Sequence, residues 1–172
     1  SYLGQVPQRY ELQVAPSEVD SWRNGPVQGE VHDESSWVLL KGTPQHFSGA
    51  AGLFTTASDM AEFMQAYMQG KVISKEQLAK CAVDQRTFFD SLQLQSPIGL
   101  GWELNQERWM GANVSSQTIG KTGFTGCCIG MDISAGFGVA LLCNHIYPKR
   151  PANREGINSV RKQLFDLVSE LV

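Results

Sequence analysis

Two β-forming runs in the last third of the chain constrain its fold more than any other feature. Cys127-Cys128-Ile129-Gly130-Met131-Asp132-Ile133 leads through Ser134-Ala135 into Gly136-Phe137-Gly138-Val139-Ala140-Leu141-Leu142-Cys143-Asn144. A link this short closes a hairpin, so the two runs are antiparallel neighbours. The second run is the most strongly apolar stretch of the sequence and reads as a central strand. Beyond it, Asn153 stands where an N-cap is needed. Ile157, Val160, Leu164, Leu167, Val168 and Leu171 then form one apolar stripe, with Arg161 and Lys162 off it. Such a helix should cover one face of the sheet.

Upstream, Ile98-Gly99-Leu100-Gly101-Trp102-Glu103-Leu104 reads as a strand interrupted by glycines, with Trp109 and Met110 in the next turn or strand. Thr56 followed by Asp59 marks a helix start. Met60, Phe63, Met64 and Tyr67 fall at helical spacing as a core face, and Gly70 closes the helix. Ser74-x-x-Gln77 opens a shorter helix to about Val83. The small, apolar residues 46–55 allow close approach of neighbouring elements. Pro7, Pro16, Pro26 and Pro44 make a long early helix improbable and leave an irregular start, with one short strand near residues 10–14. Gly29-Glu30-Val31-His32-Asp33 reads as a turn held by side-chain to backbone hydrogen bonds. The expected class is α+β: an antiparallel sheet of about three strands under a C-terminal helix, plus a helical segment. It is expected as a single incomplete domain over 1–172, loop-rich and helical over 1–95 and sheet-plus-helix over 96–172. So irregular a start implies a longer parent.

The chain has 172 residues, 42% hydrophobic and 18% charged, as in a globular protein with its own core. A net charge of −3 and a pI near 5.6 argue against a nucleic-acid partner. No apolar run nears the ~18 residues of a membrane span, and Ser1-Tyr2-Leu3-Gly4-Gln5 has no signal-peptide character. Cys81, Cys127, Cys128 and Cys143 lack metal-ligand spacing and read as small apolar side chains. Neither a metal nor a cofactor is expected.

Chemistry is concentrated in Gly120-Lys121-Thr122-Gly123-Phe124-Thr125-Gly126. Its glycines admit close approach and its lysine brings a cation with three donors. A phosphate-binding P-loop would need a glycine where Ser115 stands, and a helix rather than a strand after the lysine. The stretch fits an anionic or carbonyl-bearing ligand better.

Its context is more specific. Gly29-x-Val-His-Asp33, Gly49-Ala-Ala-Gly-Leu-Phe-Thr-Thr-Ala-Ser-Asp-Met60, Gly99-Leu-Gly-Trp102, Lys121-Thr-Gly-Phe-Thr-Gly126 and Leu142-Cys-Asn144 occur in this order. From about residue 25 to the end, the chain resembles the C-terminal half of class C β-lactamase-like serine hydrolases. These include low-molecular-weight penicillin-binding proteins, D-alanyl-D-alanine carboxypeptidases and esterases. The resemblance implies a partial β-lactamase/transpeptidase-like fold. It also implies roles: Lys121 for a substrate carboxylate or developing anion, Thr122 for a hydroxyl hydrogen bond, Gly123 for an open strand, and Phe124 for a backbone N–H in the oxyanion hole.

The family's S-x-x-K nucleophile motif and its Y-x-N motif are missing from their places. Ser159-Val160-Arg161-Lys162 follows the Lys-Thr-Gly strand instead of preceding it, and reads as a solvated helix face. The expectation is therefore a C-terminal piece of an acyl-enzyme serine hydrolase acting on β-lactams, D-Ala-D-Ala-like peptides or esters, and inactive alone. The alternative is a non-catalytic peptide- or cell-wall-binding module with a degenerate cleft. A sheet edge left bare by missing N-terminal elements implies a homodimer or pairing with the missing N-terminal half. The resemblance points to the bacterial envelope or export, whereas unpaired cysteines would suit a reducing compartment, so the compartment stays open.

Overall fold

The computed structural model describes residues 1–42, 48–88 and 92–172, which form two compact units. The first comprises 1–59 and 142–152, and the second 60–141 and 153–172.

In the first unit, regular structure is short. Strands β1 (Tyr2–Leu3) and β4 (Leu53–Phe54) pair, as do β2 (Val19–Asp20) and β3 (Gly25–Pro26). Where a strand was expected near residues 10–14, the chain forms a 3-10 helix, Gln8–Gln13. Pro7 has the fixed φ suited to entering a helical turn, and the alternation of Tyr10, Leu12 and Val14 finds no face to bury against, since Leu12 is 91% exposed. Helix α1 (Glu34–Gly42) begins where Asp33 Oδ1 accepts the Ser36 amide at 2.8 Å. His32-Asp33 is thus a helix entry, with the side-chain to backbone bond expected of it. Polar contacts join the rest. Arg23 donates to the carbonyls of Val31 and His32 at 2.8 and 2.7 Å. Arg150 forks onto Glu18, with Nη2 2.8 Å from Oε2, and Asn144 donates to the Pro16 carbonyl at 3.2 Å. Of the small apolar run, residues 46 and 47 lie outside the described residues. Within it, a Cβ on Gly52 would meet the Val31 side chain at 3.0 Å, a close approach of the kind expected.

The second unit is a layered sandwich. Its sheet has four antiparallel strands in the order β5 (Glu103–Leu104), β6 (Thr118–Thr122), β7 (Cys128–Asp132) and β8 (Phe137–Leu141). The α+β class stands. The extra strand arises because the glycine-rich stretch ends β6 and turns, instead of running straight into the next strand. Helix α2 (Ala57–Met68) carries Met60, Met64 and Tyr67 as its buried face. Thr56 Oγ1 accepts the Asp59 amide at its start, at 3.1 Å. Ser74 and Gln77 form the expected capping box on α3 (Lys75–Cys81). Met64, Tyr67 and Leu78 pack with Leu104, Ile119 and Met131 on one face of the sheet.

The other face packs against α4 (Glu107–Met110) and α5 (Glu155–Ser169). Trp109, Met110 and Phe165 meet Cys128, Phe137 and Val139 there. Trp109 and Met110 thus lie on a single helical turn, both fully buried. Of residues 98–104, Glu103–Leu104 form the strand and Ile98 makes an isolated antiparallel bridge back to Glu103, because the chain turns between them at Gly101, φ +80°.

Two further expectations are corrected. Strand β8 ends the sheet order and is not central. Its apolar sequence reflects cover on both faces: Phe137 and Val139 belong to the α5 layer, while Gly138 lies under Met64. Periodicity registers burial, not position in the order. On α5, the buried residues are Ile157, Arg161 and Phe165. Val160, Leu167 and Leu171 are 51%, 56% and 77% exposed, so the helix is rotated from the all-apolar stripe and Arg161 faces inward. The Asn153 side chain accepts the Glu155 amide at 3.1 Å, although Arg154 occupies the cap position itself.

Candidate functional site

Strand β6 delivers the candidate residues. It pairs with β7 from Thr118↔Asp132 to Thr122↔Cys128, and with β5 only at Gly120↔Glu103 and Ile119↔Leu104. Past Gly120 the β5 side of the strand is therefore open, and Lys121 and Thr122 stand at that opening. Gly120 has a packing reason to be glycine, since a Cβ would come within 2.7 Å of the Trp109 ring. Gly123 has no such reason. A Cβ there would find nothing nearer than the Cys127 carbonyl at 3.5 Å.

The turn after β6 is tied on itself. The Gly123 amide donates to the Cys127 carbonyl at 2.7 Å and the Gly126 amide to the Gly123 carbonyl at 3.2 Å. Gly126 sits at φ +105°, a conformation that excludes side chains. Phe124 lies at the tip, 38% exposed. The chain thus brings together all four residues singled out from sequence: Lys121 and Thr122 on the strand, Gly123 and Phe124 in the turn.

Lys121 Nζ lies 3.1 Å from Glu103 Oε1. The other carboxylate oxygen accepts the Trp109 indole N–H at 3.0 Å, with Arg108 at 3.8 Å. The Lys121 side chain is 58% exposed and that of Glu103 17%. An ion pair so exposed contributes at most about 1 kcal/mol, so an incoming anion can compete for the lysine. The Thr122 hydroxyl has no hydrogen-bond partner among the described residues and is available to a ligand.

Sequence reasoning missed two side chains here. Glu103 is the counter-ion that holds Lys121. Arg161, 1% exposed, donates from α5 to the turn: Nε and Nη2 reach the Gly126 carbonyl at 3.1 and 2.6 Å, and Nη2 the Cys127 carbonyl at 3.1 Å. A signal for Arg161 did exist. It lies four residues from both Ile157 and Phe165, in the centre of the stripe that is actually buried. By contrast, the S-x-x-K pattern on α5 is surface. Ser159 is exposed and accepts from Gln163 at 3.0 Å, while Lys162 lies 4.0 Å from Glu107. No cluster of potential metal ligands occurs among the described residues, and no described helix is long and apolar enough to cross a membrane.

Comparison with known proteins shows the family. Residues 6–162 match the Beta-lactamase family. The chain belongs to that family. It is similar to an N-acetylmuramyl-L-alanine amidase of Bacillus subtilis, 35% identical over 71% of this chain and 27% of the relative. It is also similar to a putative D-alanyl-D-alanine carboxypeptidase of Salmonella paratyphi B, 32% identical over 79% of this chain and 31% of the relative. The chain thus spans about a third or less of the length of these relatives. As a β-lactamase family member it carries an α+β, serine-hydrolase-like domain in part.

Proposed function

We propose that this chain supplies the substrate-side wall of a serine hydrolase that works through an acyl-enzyme on β-lactams, peptidoglycan peptides or esters. Lys121 receives the substrate carboxylate or the developing anion, and Thr122 adds a hydroxyl hydrogen bond. Gly123 leaves room for the substrate backbone, and Phe124 contributes an N–H to the oxyanion hole. The observation that carries this reading is Gly123. Its own chain leaves space beside it, so a substrate backbone can lie against the strand there, next to an exposed cation.

Family membership and the names of the two relatives support a carboxylate-bearing cell-wall peptide or a β-lactam as the ligand class. The S-x-x-K serine and the Y-x-N tyrosine belong to the part of such a hydrolase that precedes this stretch, and without them the chain has no nucleophile with an adjacent base. It is therefore inactive alone. Its natural partner is that N-terminal half or, in the isolated chain, a second copy. The exposed Val160, Leu167 and Leu171 of α5 are consistent with such pairing.

Incubation of the chain with a chromogenic β-lactam and with a p-nitrophenyl ester tests the reading. No turnover above buffer is expected. Turnover abolished by Lys121→Ala would contradict the claim that the reactive centre is elsewhere.

A further inference from the structure

The guanidinium of Arg161 is buried against the turn that carries Phe124. Besides Gly126 and Cys127, Nη2 lies 3.4 Å from the Gly123 carbonyl oxygen, and Nη1 donates to Asn158 Oδ1 at 2.8 Å. The Gly123 carbonyl and the Phe124 N–H belong to one peptide unit. That unit is planar and trans, so its C=O and N–H point in opposite directions. A donor that holds the carbonyl toward α5 therefore aims the Phe124 N–H away from α5. The Gly126 amide holds the same oxygen at 3.2 Å, so the plane is fixed from two directions.

Charge adds to this. Among the described residues no carboxylate pairs with Arg161. Its partners are three carbonyl oxygens and one side-chain amide oxygen. Buried charges are ordinarily paired, so this one leaves a positive field behind the turn, little screened by solvent. Such a field favours negative charge on the N–H side of the Gly123–Phe124 peptide, which is where an oxyanion would develop. A role in holding α5 to the sheet does not call for it, since Ile157 and Phe165 already bury that face.

We propose that Arg161 is the positioning residue for the oxyanion-hole donor: it fixes the Gly123–Phe124 peptide plane and backs it with a buried positive charge. The inference rests on the reading of Phe124 above, and it gives a residue of the last helix a part in the chemistry of the β6 turn.

Residual dipolar couplings of the backbone N–H vectors test it in the full chain, with Arg161→Gln and Arg161→Lys. In Arg161→Gln the Phe124 vector should reorient, while those of Ile119, Gly130 and Val139 in the sheet keep their couplings. A Phe124 coupling that stays as in the parent chain overturns the proposal. If Arg161→Gln does not fold, Arg161→Lys is decisive. It keeps the charge and loses the fork, so a change confined to residues 123–127 supports the proposal and no change there overturns it. Titration with a D-alanyl-D-alanine dipeptide forms the second arm. Arg161→Gln should lose the Phe124 amide shift and retain that of Lys121, whereas retention of both overturns the inference. A parent chain with no dipeptide response at all would defeat the functional reading alone, because the couplings report on Arg161 without any ligand.

Discussion

The two units are stabilised by different physics. In the second, aromatic and methionine side chains fill both faces of a four-stranded sheet. Burial of that kind carries no charged side chain and so depends little on pH. The first unit relies on two-residue strands, a 3-10 helix and side chains that reach for backbone or for each other. His32 illustrates it, with Nδ1 2.7 Å from Ser17 Oγ and Nε2 3.3 Å from Glu18 Oε2. The comparison teaches where a rigid site can be built. Lys121, Thr122, Gly123 and Phe124 all lie on the apolar sandwich, and the titrating network lies in the other unit.

The largest expected effect tests the sandwich. Phe165 is fully buried, with its ring edge-on to Trp109 at 5.7 Å. Phe165→Ala should destabilise the second unit by about 4 kcal/mol, read by urea denaturation. A loss well under half of that would mean that the core is looser than described.

Next comes the one buried carboxylate among the described residues of the sandwich. Asp132, 1% exposed, accepts from Ser115 N and Oγ at 2.6 Å each, from Ser134 N at 3.1 Å and from Ala135 N at 2.9 Å. Burial works to raise its pKa, but these hydrogen bonds outweigh it and hold the group below its ordinary 3.8. Its stabilisation is therefore present above that value and lost as pH falls below it. Asp132→Ala should cost about 2–3 kcal/mol at neutral pH by stranding its donors, with the difference from the parent chain shrinking in strong acid.

A pH titration separates the units by a smaller margin. Burial pushes the His32 imidazole below its ordinary 6.5, against the pull of Glu18. The unfolded state then binds a proton that the folded state refuses, so the first unit should begin to lose stability as pH falls through about 6.5. The second unit should hold until the carboxylate range. Amide protection factors, corrected for intrinsic exchange, should fall first in residues 16–33. Simultaneous loss in both units would erase the distinction. Arg150→Ala should cost about 1–3 kcal/mol, because it leaves the buried Glu18 carboxylate without its forked partner.

Smallest in stability is Gly123→Ala. With room for a Cβ and no positive φ, the change should be neutral or stabilising by a few tenths of a kcal/mol, up to about 1. Gly126→Ala, forced into φ +105°, should be clearly worse. Thermal melting of the pair checks both.

Much of this was legible in the sequence because periodicity reports burial. The β7–β8 hairpin, the Met60–Met64–Tyr67 face and the Ser74 capping box follow from local pattern alone. What local pattern cannot carry is partnership across the chain. Nothing near Arg161 in sequence says that three carbonyls of a distant turn await it, so a rule that places cations outside turned α5 the wrong way. Nor does the apolar run of β8 tell a covered edge from a centre. Of the site, the four residues from Lys121 to Phe124 could be named from their motif, whereas Glu103 and Arg161, which hold them, required the fold.

The most direct test of the central claim is a titration of the 15N-labelled chain with a D-alanyl-D-alanine dipeptide, read at the amides of Lys121, Thr122, Gly123 and Phe124. At ~10 mM ligand, even an affinity of about −2.7 kcal/mol half-fills the site. Saturable shifts confined to these residues and their neighbours are expected. They should be abolished by Lys121→Ala and by Gly123→Ala, of which the first should cost at most about 1 kcal/mol of stability and the second none. Absence of shifts at these amides, or shifts that persist unchanged in both variants, would contradict the central claim.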